Sequence, residues 1–194
     1  MEKTITLKDG SDVVLRNLIP DDVKNSIAFF QSLPDADRIY LRNDVMDANV
    51  VRRRIQEMER NREIVLVAIS GDAIVADGSL ELEAHGWKKH LGEIRLVVAP
   101  SHQRKGLGMC LARELYFQAA SEKVQEIIVK MMRPQLGAQK IFNRLGFKEE
   151  MTLPRYVKDL NGHHQDLIIM RCDLKALWQQ LEDYFVETDW ERRK

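Results

Sequence analysis

Hydrophobic and polar positions along the chain switch between two periods, and the switches predict its elements. Ile5 and Leu7, followed by Val13-Val14-Leu15 beyond an Asp9-Gly10 turn signal, predict an opening strand pair. Pro20-Asp21-Asp22 then starts a helix whose apolar face is Val23, Ile27 and Phe30, and which stops before Pro34. After a polar stretch, Asp35 to Asn49, a second helix carries Val51, Ile55 and Met58 on one face. Arg52, Arg53 and Arg54 fall on that helix, and a run of like charges reads as a solvated face. Ile64 to Ile69 is an unbroken apolar strand, Gly71-Asp72 a tight turn, and Ala73 to Leu82 its antiparallel partner. Gly78 inside that partner marks either a bulge or a close approach of another element.

The stretch from Glu93 to Leu111 joins both periods. Ile94 to Val98 is a β-branched apolar run bounded by Pro100, and a basic turn follows, Gln103-Arg104-Lys105-Gly106-Leu107-Gly108. A helical pattern then begins, with Leu107, Leu111 and Leu115 one turn apart. A strand that breaks into a glycine turn and opens a helix aims unpaired backbone N–H groups at one point. Together with the positive end of the helix dipole they make an anion site suited to phosphate or pyrophosphate.

Downstream, Ile127 to Met132 reads as a strand stopped by Pro134, and Leu136 to Leu145 as a short helix closed by Gly146. Phe147 to Val157 is extended, with Pro154 predicting an edge or a bulge. Asp159 to Gly162 is a turn and Asp166 to Cys172 a final strand. Leu174, Leu177, Trp178, Leu181 and Phe185 stripe one face of a C-terminal helix, which either docks on this chain's own core or forms a homodimer contact. This order of elements predicts an α+β fold with one sheet covered by helices.

Composition narrows the function classes. Lys plus Arg and Asp plus Glu number 30 each, so no global field recruits nucleic acid or an acidic membrane. Cys110 and Cys172 lie far apart inside apolar patterns and read as core thiols rather than a disulfide framework or a metal site. The first residues, Met1 to Leu7, show no signal-peptide pattern, and no apolar run approaches membrane-spanning length. The expectation is a single-domain cytoplasmic protein.

The glycine turn does not fit a dinucleotide fingerprint, whose third glycine is missing, and no GxxxxGK[ST] loop is present. Its longer pattern Q-x-x-G-x-G, following a strand that ends Val97-Val98-Ala99-Pro100, resembles the pyrophosphate signature of the GNAT superfamily of acyl-CoA-dependent N-acetyltransferases. Ala138 to Phe147 (A-Q-K-I-F-N-R-L-G-F) is similar to that family's second helix-to-strand segment. Val14-Leu15-Arg16 with Pro20-Asp21-Asp22, and Tyr156 to Asp159 with Gly162, Asp166 and Met170, resemble its opening and closing runs. The resemblance implies a mixed, mostly antiparallel twisted sheet in a domain over 1–174. Residues 175–194 would be a helical extension packed on the domain or on a partner subunit.

It also implies acetyl-CoA as co-substrate, a primary amine as acceptor, and no metal. Strand backbone at Leu96, Val97 and Val98 would pair with the pantetheine arm. The turn from Gln103 through Arg104, Lys105, Gly106, Leu107 and Gly108 to Met109 would hold the pyrophosphate. Glu93 stands where several members carry a general base; from the residues alone it is equally a solvated carboxylate at a strand entrance. Phe142 lines the same expected site, where many members carry a Tyr that serves as general acid, so Cys110, Tyr116, Tyr156 or water would have to replace it. Gln135 stands where an Asn is common. His163, His164 and Asp166 look like a cluster only in sequence, since adjacent residues point in different directions. A non-catalytic acyl-CoA-binding sensor or regulatory module is the reading from another class. Acceptor recognition is expected from the Asp35–Arg62 region, the His85–His90 loop and the segment around Tyr156.

Overall fold

The computed structural model describes residues 2–41, 45–60, 62–83 and 85–174. Its elements run β1 (Glu2–Thr6), β2 (Asp12–Asn17), a 3-10 turn at Pro20–Asp22, α1 (Val23–Ser32), α2 (Asp35–Arg38) and α3 (Ala48–Glu59). There follow β3 (Glu63–Ser70), β4 (Ala73–Leu82), β5 (Leu91–Val98), α4 (Leu107–Ser121), β6 (Glu126–Met132), α5 (Leu136–Arg144), β7 (Lys148–Lys158) and β8 (His164–Asp173). The strands form one sheet in the order β1-β2-β3-β4-β5-β6-β8-β7. Among the described residues only β5 and β6 pair in parallel; the other neighbours are antiparallel. The expected α+β fold with a mixed, mostly antiparallel sheet is what the chain adopts. The expected C-terminal helix, residues 175–194, lies outside the described residues.

Alternation along β4 decides what each face of the sheet carries. Gly78, Leu80 and, across the ladder, Ile94 and Leu96 turn toward α4, whose Leu107, Leu111, Ala112 and Leu115 are fully buried against them. Asp77, Ser79 and Glu81 turn the other way, to the face covered by α1 and α3. Each fully buried leucine contributes about 1.5–3 kcal/mol of transfer free energy, so α4 is the main apolar clamp on the sheet. Gly78 is a close-approach point: a Cβ there would stand 2.9 Å from the side chains of Leu111 and Leu115. The bulge between these strands falls instead at Ala68/Ile69.

Pro154 behaves as its chemistry requires. β7 is an edge strand, and its register with β8 breaks between Leu153 and Val157. Arg155 takes a left-handed conformation there, with its N–H held by Asp166 Oδ1 at 3.0 Å.

The arginine triplet corrects its sequence reading. Arg52 and Arg53 are exposed as expected, but the Arg54 side chain is only 11 % exposed. It donates from Nε to Glu63 Oε1 at 3.2 Å and from Nη2 to Asp77 Oδ1 at 2.9 Å. A helix face that meets a sheet carrying carboxylates buries its cation rather than solvating it.

Candidate functional site: a groove where two strands part

β5 and β6 pair at Leu91↔Glu126, Gly92↔Ile127 and Glu93↔Ile128, and then separate. From Ile94 to Val98, β5 stays bonded to β4 on its other side, while β6 continues against β8 to Met132. The backbone of β5 facing the gap therefore has no strand partner there among the described residues. Backbone amides left in this way seek an extended ligand that supplies hydrogen bonds.

The gap widens into a groove of about 1130 Å³. Leu96, Val97 and Val98 line one wall, Val129 to Met132 the other, and the basic turn Gln103–Met109 closes one end. At this end α4 starts after Gly106, which sits at φ +93°, with Arg104 also left-handed at +60°. The first bond back into the helix runs from Cys110 N–H to Gly106 C=O at 3.1 Å. The N–H groups of Leu107, Gly108 and Met109 thus belong to the helix start, where no intrahelical acceptor exists. They and the helix dipole favour an anion.

Each residue expected in this site has a definite place. Gln103 shapes the turn: its side chain donates to Val98 C=O at 3.0 Å, and its N–H is taken by Pro100 C=O at 3.2 Å. Arg104, Lys105, Gly106, Gly108 and Met109 line the groove. Leu107 has its side chain in the core, so only its backbone can face a ligand. The Lys105 ammonium lies 2.8 Å from Asp9, and that contact, with the bonds from Ser11, holds the Asp9 carboxyl well below the usual range. Lys8, which the sequence does not single out, donates its N–H to Lys105 C=O at 3.0 Å and lays its side chain beside Gly106. Gln135 fastens the far wall by accepting the Met132 N–H at 2.7 Å.

Phe142 is buried edge-to-face on Phe147, centroids 5.1 Å apart, and still borders the groove. Of the proton donors considered in its place, Cys110 and Tyr156 line the groove, as does Tyr40. Tyr116 is buried instead, and burial pushes its hydroxyl up to about 12. Cys172 is a core thiol, pushed up to about 11 by burial, whereas Cys110 departs from the core reading by facing the groove.

Glu93 stands at the last β5–β6 pair, with its side chain 13 % exposed. It opens not on the groove but on an adjoining hollow of about 370 Å³, on the α3 face. Arg54, Glu63 and Lys130 border both spaces and mark where they meet. Glu93 Oε2 accepts from Lys130 Nζ at 2.7 Å, and Arg95 turns its guanidinium to Glu81. Burial raises Glu63 although Arg54 opposes it, while Arg54 stays charged because Asp77 and Glu63 outweigh its burial. This charged network joins residues 9 to 37 positions apart, so no local signal announces it.

Among the loops expected to recognise an acceptor, Asp37, Tyr40 and Leu41 line the groove, as does Tyr156. The His85–His90 segment is a turn whose Trp87 is 88 % exposed, and only Lys88 of it borders the hollow. His164 bonds to Arg155 C=O while Asp166 holds Arg133 and Arg155, so these residues form no joint site. Among the described residues no group of His, Cys, Asp and Glu fits a metal ion, and no helix is long and apolar enough to cross a membrane.

A sheet parted beside a helix start, with a basic turn between, suits an extended ligand that carries a phosphate. Residues 61–149 match the family model described as an acetyltransferase (GNAT) domain. The GNAT domain of S. lividans PAT shares its fold with TM-score 0.74 at 17 % identity, covering 89 % of this chain and 97 % of that one. A ribosomal-protein-alanine N-acetyltransferase from Brucella melitensis gives 0.73 at 22 % identity, over 82 % and 99 %. The Salmonella typhimurium protein yncA, solved with its cofactor acetyl-CoA, gives 0.73 at 18 %, over 84 % and 95 %. A comparison with curated protein sequences found no match.

Proposed function

We propose that this chain transfers an acetyl group from acetyl-CoA to a primary amine by direct attack in a ternary complex. The observation that carries the reading is the parting of β5 from β6 past Glu93, beside the first amides of α4, which have no intrahelical acceptor. Both halves of acetyl-CoA find complementary groups there. The backbone of Leu96, Val97 and Val98 bonds the amides of the pantetheine arm. The amides from Arg104 to Met109 hold the pyrophosphate, with Arg104, Lys105 and Lys8 adding charge and Gln103 fixing the turn. Phe142 packs along the same groove.

The acceptor enters through the smaller hollow and passes Arg54, Glu63 and Lys130 to reach the thioester. An alkylammonium group, which ordinarily ionises near pH ~10.4, must first lose a proton. Glu93 takes that proton, directly or through water. The amine nitrogen then forms its bond to the thioester carbonyl carbon and gives up its second proton to water as the carbon–sulfur bond breaks. The departing thiolate, with a thiol pKa of about 8.5, needs little help and takes its proton from water or from a donor facing the groove. This accounts for a phenylalanine at 142.

The test is to incubate the protein with acetyl-CoA and a panel of amines and peptides while following thiol release. Amine-dependent release is expected, and Glu93→Gln should lower it about 100-fold or more. Tight acetyl-CoA binding without amine-dependent release would turn the reading to a sensor. An unchanged rate in Glu93→Gln would remove Glu93 as the base.

A further inference from the structure

Lys130 has no place in the resemblance, yet its side chain closes the angle between the two parting strands. It lies two residues beyond the last β5–β6 pair, Glu93↔Ile128, on the same face of β6 as Ile128. From there Nζ reaches back across the gap to Glu93 Oε2 at 2.7 Å, with the lysine side chain 29 % exposed. It borders both the acetyl-CoA groove and the hollow proposed for the acceptor.

Other charged groups surround the pair. Arg95 approaches Glu93 Oε1 with Nε at 3.7 Å, but that nitrogen makes no hydrogen bond, and the guanidinium is committed to Glu81 at 2.7 Å. Across the hollow, β3 and β4 present the carboxylates of Glu63 and Glu81. Helix α3 presents Arg53, Arg54 and Glu57, and the flanking loops present Arg62, Glu83 and Lys88. Arg54 is engaged by Glu63 and Asp77, and Arg62 by Glu57. Signs are balanced across the hollow, and the hydrogen-bonded Lys130 ammonium adds a strong local field at Glu93.

We infer that Lys130 is a positioning residue: its ammonium fixes the Glu93 carboxylate at the point where the strands part, keeps it ionised, and so sets the lower pH limit of acetyl transfer. This rests on the proposed role of Glu93 as base. The catalytic cost of an ionised, ion-paired carboxylate is a weaker base, and the return is a wider pH range in which it is free of a proton.

The experiment measures kcat/KM for the best amine against pH in the full chain, for the wild type, Lys130→Met, Lys130→Arg and Glu93→Gln. An opposite charge at this distance lowers a carboxyl pKa by about one to three units, and partial exposure favours the lower figure. The acidic limb of Lys130→Met is therefore expected to move up by about one pH unit, with Lys130→Arg restoring it. A lysine that only braced the fold would lower the rate at every pH without moving the limb. A limb at the wild-type position in Lys130→Met, while Glu93→Gln abolishes it, overturns the inference and leaves the base reading intact. A wild-type rate and limb in Glu93→Gln overturns the base reading itself. Acetyl-CoA affinity, read by calorimetry, separates both from a damaged groove. Should Lys130→Met prove unstable, Lys130→Gln serves in its place with the same expected limb shift.

Discussion

Arg54 on α3 and Asp77 on β4 share a two-pronged ion pair, with Nη1 to Oδ2 at 3.2 Å and Nη2 to Oδ1 at 2.9 Å. This pair, with Glu63, ties the helix to the sheet at the junction of groove and hollow. Arg54→Met would leave two carboxylates enclosed without their cation, which costs about 3–5 kcal/mol. The loss should be largest near pH 8. As the pH falls, Glu63, whose carboxyl burial already raises, takes up a proton and the penalty eases, so urea denaturation at pH 8 and pH 5 should give a smaller difference from wild type at pH 5. An equal loss at both values would mean that α3 is held by packing alone.

Gly78 allows α4 to lie directly on β4. An alanine in a strand interior is normally at least as good as glycine, but here its Cβ would meet Leu111 and Leu115 at 2.9 Å. Both leucines are fully buried and have little room to move. Overpacking wins, and Gly78→Ala should destabilise by about 1–3 kcal/mol. Adding Leu111→Val, which makes room at the contact, should recover part of that loss in a double-mutant cycle. Purely additive losses would place the strain elsewhere.

These two residues also show what the sequence could reveal. Gly78 interrupts a period-two run, so a close approach was legible there, although not its partner. The heptad-like leucines of α4, the edge position implied by Pro154 and the glycine turn were legible because each depends on neighbours within a few residues. Arg54 was not: three consecutive arginines look solvated until β3 and β4 bring Glu63 and Asp77 beneath one of them. The parting of β5 from β6 was legible only through the resemblance, since pairing of a strand with one neighbour says nothing of where it leaves the other. Lys130 alternates with Val129 and Met131 as any half-buried strand residue would, and only the parallel register places it over Glu93. Lys8 likewise reaches Gly106 through tertiary contact alone.

Asp22 offers a measure of acid sensitivity in the fold. Burial alone would raise its carboxyl, but two bonds from Arg16, at 2.6 and 2.8 Å, and the Ile19 N–H at 2.9 Å outweigh it and hold the group below the ordinary value. A depressed folded value means that the stabilisation is complete above the unfolded pKa of about 3.9 and is lost as pH falls through the folded one. Asp22→Asn should therefore cost about 1–3 kcal/mol at pH 7, and its stability should converge with wild type below about pH 3. Denaturation midpoints across pH 2–7 measure this, and a constant gap down to pH 2 would sink it.

Gly106 separates the geometry of the turn from its charge. Its φ of +93° lies where an L side chain is strained by roughly 1–2 kcal/mol, yet an added Cβ would meet only Lys8 at 3.6 Å, an ordinary contact. Gly106→Ala thus tests backbone conformation and not space. Relaxing the strain turns the first amides of α4 away from their common focus, where the pyrophosphate is proposed to bind. The expected result is an acetyl-CoA Kd about tenfold weaker, with a modest fall in thermal stability. Acetyl-pantetheine lacks the pyrophosphate but keeps the arm that β5 would bind, so its affinity should change far less. Equal weakening of both ligands would mean that the substitution disturbs the whole groove, and that the turn has no separate hold on the phosphates.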